Sequence, residues 1–290
     1  MSFPELPSFT TSADGTKLFY ATIGDPSLPA LIWIHGGSFS SLSFDPVFSD
    51  LLWLAHVYLV RYDVRGHGRS DKPTESGAYS QRKLAEDFDA VVEASGARDV
   101  VVVAWSAGGA LLPDITMYSK TPLRAAVLIG GVSHVGAVPI VATAELQGLM
   151  AHGLLSTDNV DLAHDTLFQI VDLLVYTPDR DMPYSRRAML FGDAAAQPPA
   201  ARRAYSTRSQ DAQAWLDLGE KVCEILLVHG RQDRCVLPQR TLDIMREAFG
   251  NRVSACWIDD CGHAPFLEKP DECRRGVLAF VDSVVRTDRL

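Results

Sequence analysis

A serine hydroxyl attacks a carbonyl only when it is exposed, held still and set beside a base. Ser106 stands in Ala104-Trp105-Ser106-Ala107-Gly108-Gly109, after the apolar run that starts at Val100 and before a helix-like stretch. A sharp strand-to-helix turn there would expose the hydroxyl. Small residues are needed two before and two after the serine, because larger side chains collide as the chain reverses, and Ala104 and Gly108 meet that need. The free N–H groups of the following helix would point toward the reaction centre, where negative charge develops in acyl transfer. The plainer reading of this segment alone is a serine capping an ordinary helix. The other segments decide between the two.

Leu31-Ile32-Trp33-Ile34 is another apolar strand, ending in His35-Gly36-Gly37-Ser38, whose glycines let the backbone approach a ligand closely. A strand at Val57–Val60 leads into Asp63-Val64-Arg65-Gly66-His67-Gly68-Arg69-Ser70. No lysine followed by serine or threonine stands at Walker spacing, so these glycines are not expected to cradle a phosphate. Glu224–Val228 reads as a buried strand running into His229-Gly230-Arg231-Gln232-Asp233-Arg234-Cys235-Val236. Val253–Ile258 reads as a last strand, and His263, the candidate general base, lies on the loop after it.

Taken in order, these segments resemble the α/β-hydrolase family over nearly the whole chain. The Ser106 turn resembles the nucleophile elbow G-x-S-x-G, with Ala104 in place of the first glycine, and Asp63–Ser70 matches the pattern D-x-R-G-x-G-x-S. The resemblance implies Ser106 as nucleophile, Asp233 as triad acid and His263 as base, in the nucleophile–acid–base order of that fold. It also implies an oxyanion hole from the backbone N–H groups of Gly37 and Ala107. Asp259 and Asp260 sit too near His263 on the same loop to grip its far ring nitrogen. The other place for an acid, after Ala125–Ile129, reads Gly130-Gly131-Val132-Ser133 and holds no carboxylate. Capping of a helix near Pro238 is the alternative role for Asp233. His35 is expected to orient its loop, Asp63 and Arg65 to brace neighbouring loops, and Glu268 to sit near helix N-terminal amides.

A chain of 290 residues with 47% hydrophobic and 22% charged residues can bury a large core and is too apolar for disorder. A net charge of −9 without a basic stripe argues against nucleic acid. Arg186-Arg187 and Arg202-Arg203 read as solvated helix faces. The five cysteines lie between Cys223 and Cys273 without metal spacing, and the eight histidines are scattered, so neither a metal nor a cofactor is expected. Reduced thiols are the default, and Cys261, near His263, reads as packed. The stretch from Met1 to Pro7 lacks a basic segment followed by an apolar core, and no uncharged run reaches spanning length, so a cytoplasmic protein without a membrane span is expected. Oligomeric state is not legible, and a homodimer is left open.

The strand and helix patterns alternate, predicting an α/β fold: a mostly parallel sheet of about eight strands with helices on both faces, opened by an antiparallel hairpin around Asp14-Gly15. Pro113 should disturb the helix after Ser106. Between the strands at 125–130 and 224–229 lies far more chain than a crossover needs, so core segments 1–134 and 221–290 should flank a helical cap at 135–220. Ile140–His152 and Asn159–Tyr176 have helical spacing, and Gly192–Ala201 reads as a loop. Ser38, Phe39, Trp105, Met150, Phe168, Phe191 and Val236 are the candidate pocket residues. The activity this implies is hydrolysis of a carboxylic ester or lactone of a small to medium, largely apolar molecule. The same three residues also serve carbon–carbon hydrolases, cofactor-free dioxygenases, hydroxynitrile lyases and perhydrolases, and a ligand-binding receptor is a further alternative.

Overall fold

The apolar runs become eight strands: β1 (Leu6–Thr11), β2 (Lys17–Ile23), β3 (Ala30–Ile34), β4 (Tyr58–Tyr62), β5 (Val101–Trp105), β6 (Ala125–Ile129), β7 (Glu224–Gly230) and β8 (Val253–Ile258). In the computed structural model, which describes residues 5–286, they form one sheet in the order β1-β2-β4-β3-β5-β6-β7-β8. The first four residues of the N-terminal stretch read for a leader lie outside the described residues. β1 and β2 form the expected antiparallel hairpin and β2 runs antiparallel to β4, while the pairs from β4 to β8 are parallel.

Strand alternation divides the core. Val101, Val103 and Trp105 point to one face, with Trp33, Phe44 and Phe266, while Val102 and Ala104 point to the other, with Ile32, Ile34 and Phe88. The first face is covered by α8 (Pro270–Arg286) through Val277 and Val281. The second is covered by α1 (Gln81–Ser95), α2 (Leu112–Tyr118) and α7 (Pro238–Phe249). Both faces are dry, so the central strands read as continuous apolar runs.

After β5 the chain makes a 3₁₀ helix, Ser106–Leu111, before becoming α-helical in α2. Pro113 lies in the first turn of α2, where its missing N–H has no partner to lose. The irregularity expected from Pro113 therefore appears as a change of helix type.

The segment between β6 and β7 contains α3 (Ala144–Leu149), a π-helical turn at Met150–Leu154, α4 (Val160–Leu173), α5 (Tyr184–Ala195) and α6 (Pro199–Ser206). The expected loop at Gly192–Ala201 shrinks to residues 196–198, because α5 runs through Gly192 and Pro199 opens α6 at a position where proline is pre-organised for a helix. Arg202 also departs from its expected solvated face. It is 2% exposed, and its guanidinium donates to Gln197 Oε1 and to the carbonyls of Leu154, Ala194 and Gln197, tying α6 to α5 and to the π-helical turn. Arg187 is ion-paired with Asp172 at 2.8 Å. Among the described residues, no helix is long and apolar enough to cross a membrane.

Candidate active site

Ser106 has φ +54°, a left-handed conformation that turns its side chain out of the strand. The turn needs close backbone approach on its far side. A Cβ on Gly108 would lie 2.5 Å from the His35 carbonyl oxygen, so only glycine lets the elbow rest against the loop after β3. Ala104 lies in the core on the opposite side and its methyl group is accommodated.

His263 lies on the loop after β8 and Asp233 on the loop after β7, so parallel neighbours deliver both to the Ser106 end of the sheet. Ser106 Oγ is 2.8 Å from His263 Nε2, and His263 Nδ1 is 2.8 Å from Asp233 Oδ2. A carboxylate only accepts, so the ring proton sits on Nδ1 and the Nε2 lone pair faces the serine hydroxyl. Asp233 is fixed in turn by the N–H groups of Cys235 and Val236, which donate to Oδ1 at 2.7 and 2.9 Å. These bonds occupy the carboxylate within its own loop and answer the alternative that it caps the helix at Pro238. Gly130 makes room for the His263 ring, since a Cβ there would come within 2.9 Å of His263 Nδ1.

The surrounding groups brace this line. His35 Nε2 accepts the Val64 N–H at 3.0 Å and its Nδ1 lies 2.8 Å from the Gly36 carbonyl, so the ring joins two loops as expected. Arg65 binds Asp87 and Asp14, and Asp63 accepts from the N–H groups of Ser41 and Arg69. Glu268 differs from its expected role near helix amides. It accepts the Gly262 N–H at 2.7 Å and the Tyr176 N–H at 2.8 Å, joining the His263 loop to the segment after α4. Asp193 of α5 accepts from Ser40 N–H and Oγ at 2.8 and 2.7 Å, linking α5 to the loop after β3. Burial raises the Asp193 carboxyl to about 6.

Ser106 and His263 open onto a cavity of about 130 Å³ lined mostly by carbon. Gly37 and Ala107 lie on its wall, and a Cβ on Gly37 would stand 3.3 Å from the Ala107 Cβ, so the two backbone segments meet beside the serine. Ser38, Phe39, Met150 and Val236 also line it. Trp105, Phe168 and Phe191 do not. Alternation sends Trp105 into the core, where its ring packs 5.4 Å from Phe39 and 5.2 Å from Phe266. Phe168 and Phe191 pair with each other at 5.7 Å, away from that lining. Arg208, just after α6, also lines the cavity and had no signal in the sequence, because what buries it is Asp114 of α2, 3.1 Å away.

Asp233, Cys235 and His263 bring ligand-type atoms within 4.8 Å of one another. They suit a metal poorly: both aspartate oxygens are engaged, and burial pushes the Cys235 thiol well up, against the thiolate a metal requires. Cys261 is fully buried and its thiol is also pushed up by burial.

The order of the sheet and the residues at its end place the chain in a known group. A model of the alpha/beta hydrolase family matches residues 31–275, and the chain belongs to that family. Its fold is similar to that of a candidate aryl esterase from Burkholderia cenocepacia, with a TM-score of 0.85 and 28% identity over 97% of this chain and 100% of that one. It is also similar to the esterase RhEst1 from Rhodococcus sp. ECU1013, with a TM-score of 0.83 and 26% identity over 98% and 100% of the two chains. A non-heme haloperoxidase from Rhodococcus erythropolis is 35% identical over 43% of this chain and 44% of its own length. The chain spans less than half the length of the curated relatives first matched.

Proposed function

We propose that this protein is a serine hydrolase that cleaves a carboxylic ester or lactone through an acyl-enzyme. The observation that carries this reading is the unbroken line from Ser106 Oγ through His263 to Asp233 at the wall of an apolar cavity. His263 Nε2 takes the Ser106 proton as Oγ forms a bond to the substrate carbonyl carbon. The carbonyl oxygen becomes an oxyanion, received by the N–H groups of Gly37 and Ala107. His263 then gives the proton to the leaving alcohol as the carbon–oxygen bond breaks. Water, deprotonated by His263, releases the acid by the same two steps in reverse roles.

The cavity favours small substrates, since about 130 Å³ lies below the usual range for ligand pockets. Residues 135–220 serve in this reading as a cap over the site, set between core segments 1–134 and 221–290. The haloperoxidase relative supports a second reading, in which hydrogen peroxide replaces water on the same acyl-enzyme and a peracid leaves. A fluorophosphonate probe with adduct mapping tests the nucleophile without assuming a substrate. Labelling confined to Ser106 and lost in His263→Ala is expected. An ester and lactone panel with and without peroxide then separates the two readings, and absence of labelling would sink both.

A further inference from the structure

The two amides that would receive the oxyanion stand on different supports. Ala107 belongs to the 3₁₀ helix Ser106–Leu111, whereas Gly37 lies on the loop after β3, before the 3₁₀ turn at Ser41–Phe44. Among the described residues the Gly37 N–H donates to no group, so no bond of its own fixes its direction. The loop passes close to the serine: a Cβ on Gly36 would stand 3.1 Å from the Ser106 Cβ. Ser38 then takes φ +66°, a left-handed conformation that is costly outside glycine and persists only where its surroundings impose it. The restraints sit on the next three residues. The Phe39 ring packs 5.4 Å from Trp105, and the Ser41 N–H donates to the buried Asp63 at 2.9 Å. Ser40, between them, is held by Asp193 of α5, 153 residues further along the chain: its N–H donates to Oδ2 at 2.8 Å and its hydroxyl to Oδ1 at 2.7 Å. Two bonds to one carboxylate fix the tilt of Ser40 as well as its place.

We infer that Asp193 is a positioning residue: by gripping Ser40 it holds the loop after β3 in the strained shape that aims the Gly37 N–H at the developing oxyanion. This inference rests on the acyl-transfer reading above. Asp193 is not on the cavity wall, so it acts through the loop and not on the substrate. Its effect falls on kcat. The bound ester packs against carbon, whereas the oxyanion forms only as the reaction proceeds and needs the amide already in place. The grip also links the oxyanion amide to the helices over the cavity. Arg187 of α5 is ion-paired with Asp172 of α4, and Ile170 of α4 lines the cavity. The oxyanion site is therefore complete only while α4 and α5 are seated.

The test uses protein that a fluorophosphonate labels at Ser106. In Asp193→Ala, kcat for p-nitrophenyl butyrate is expected to fall by about tenfold to a hundredfold, with KM within about twofold. Asp193→Asn keeps an oxygen for the Ser40 N–H and should restore most of the lost rate. The inhibitor 1,1,1-trifluoropentan-2-one reads the oxyanion directly. Ser106 Oγ adds to its carbonyl carbon, the hydroxyl proton passes to His263 Nε2, and the carbonyl oxygen becomes an anion held by the two amides. Its inhibition constant should rise by about the factor by which kcat falls, while that of pentan-2-ol, which fills the cavity and forms no anion, should stay within about twofold. A merely structural role would weaken both inhibitors alike. Ser40→Ala removes the hydroxyl bond from the loop side and should show the same split at smaller size, so the test stands even where Asp193→Ala does not fold. Unchanged kcat in the folded variants, a loss carried by KM, equal weakening of the two inhibitors, or no rescue by asparagine would each overturn the inference. Any of these on protein labelled at Ser106 overturns it alone, whereas absence of labelling overturns the acyl-transfer reading and this inference with it.

Discussion

Trp105 Nε1 donates to the main-chain carbonyl of His263 at 3.0 Å. The residue before Ser106 thus holds the backbone of His263, so the two are tied through the core as well as across the cavity. Trp105→Phe keeps the ring packing and removes this bond. It should lower stability by about 1 kcal/mol in urea unfolding. With His263 less firmly placed, kcat on an accepted ester should drop roughly tenfold.

Asp233→Asn should leave the fold intact, because its side-chain oxygen still accepts from Cys235 and Val236. Its amide would face His263 Nδ1 and force the proton to Nε2, the wrong tautomer. A fall in kcat of about 10⁴ is expected, with an unchanged melting curve. A loss below tenfold would remove Asp233 from the mechanism.

Gly108→Ala should abolish activity and soluble expression together, since the new Cβ meets the backbone oxygens of His35 and Ile34 at 2.5 and 2.8 Å. Ala104→Gly brings the elbow to its family pattern, yet should lower stability by about 0.5–1 kcal/mol by loosening a strand, with no gain in kcat. Circular dichroism and steady-state kinetics on the two variants check both outcomes.

Asp193 gives a pH dependence with a definite sign. Its carboxyl is raised from 3.8 to about 6 in the folded protein, chiefly by burial and secondarily by nearby Asp63, against the lowering bonds from Ser40 and the charge of Arg69. The folded state therefore holds its proton more tightly than the unfolded state. On this account stability is greatest below pH 4, declines between pH 4 and 6, and stays at its lower level above. Asp193→Asn lacks that decline. The difference in Tm, variant minus wild type, should rise through this window and then level off, and a flat difference would contradict the assignment.

Glu268→Ala leaves the N–H groups of Gly262 and Tyr176 without their acceptor. A destabilisation of about 2 kcal/mol or more is expected. Faster hydrogen exchange at both amides, in loops far apart in sequence, would show that one carboxylate holds them.

Legibility followed range. The central strands were readable because a strand buried on both faces needs only its own apolar run, the exposed β1 was readable only through the turn at Asp14-Gly15, and the meeting of Ser106, Asp233 and His263 followed once β5, β7 and β8 ran parallel in one sheet. The spacing over Asn159–Tyr176 gave Phe168 a helix without a direction, because helical periodicity names a face and not what covers it. Arg202 looked like a surface residue because all but one of its partners are main-chain carbonyls, which every sequence has. Arg208 was silent for a related reason: its burial depends on Asp114, which belongs to α2, far earlier in the chain.

At Ser106 the chain accepts a left-handed backbone in a residue other than glycine, at φ +54°. That conformation costs such a residue about 1–2 kcal/mol. Ser106→Gly should therefore outlast Ser106→Ala in denaturant, and neither is expected to turn over an ester. On the acyl-transfer reading, selection for thermal robustness without selection for turnover would tend to erase Ser106 first, because the strain is kept only where the hydroxyl is needed.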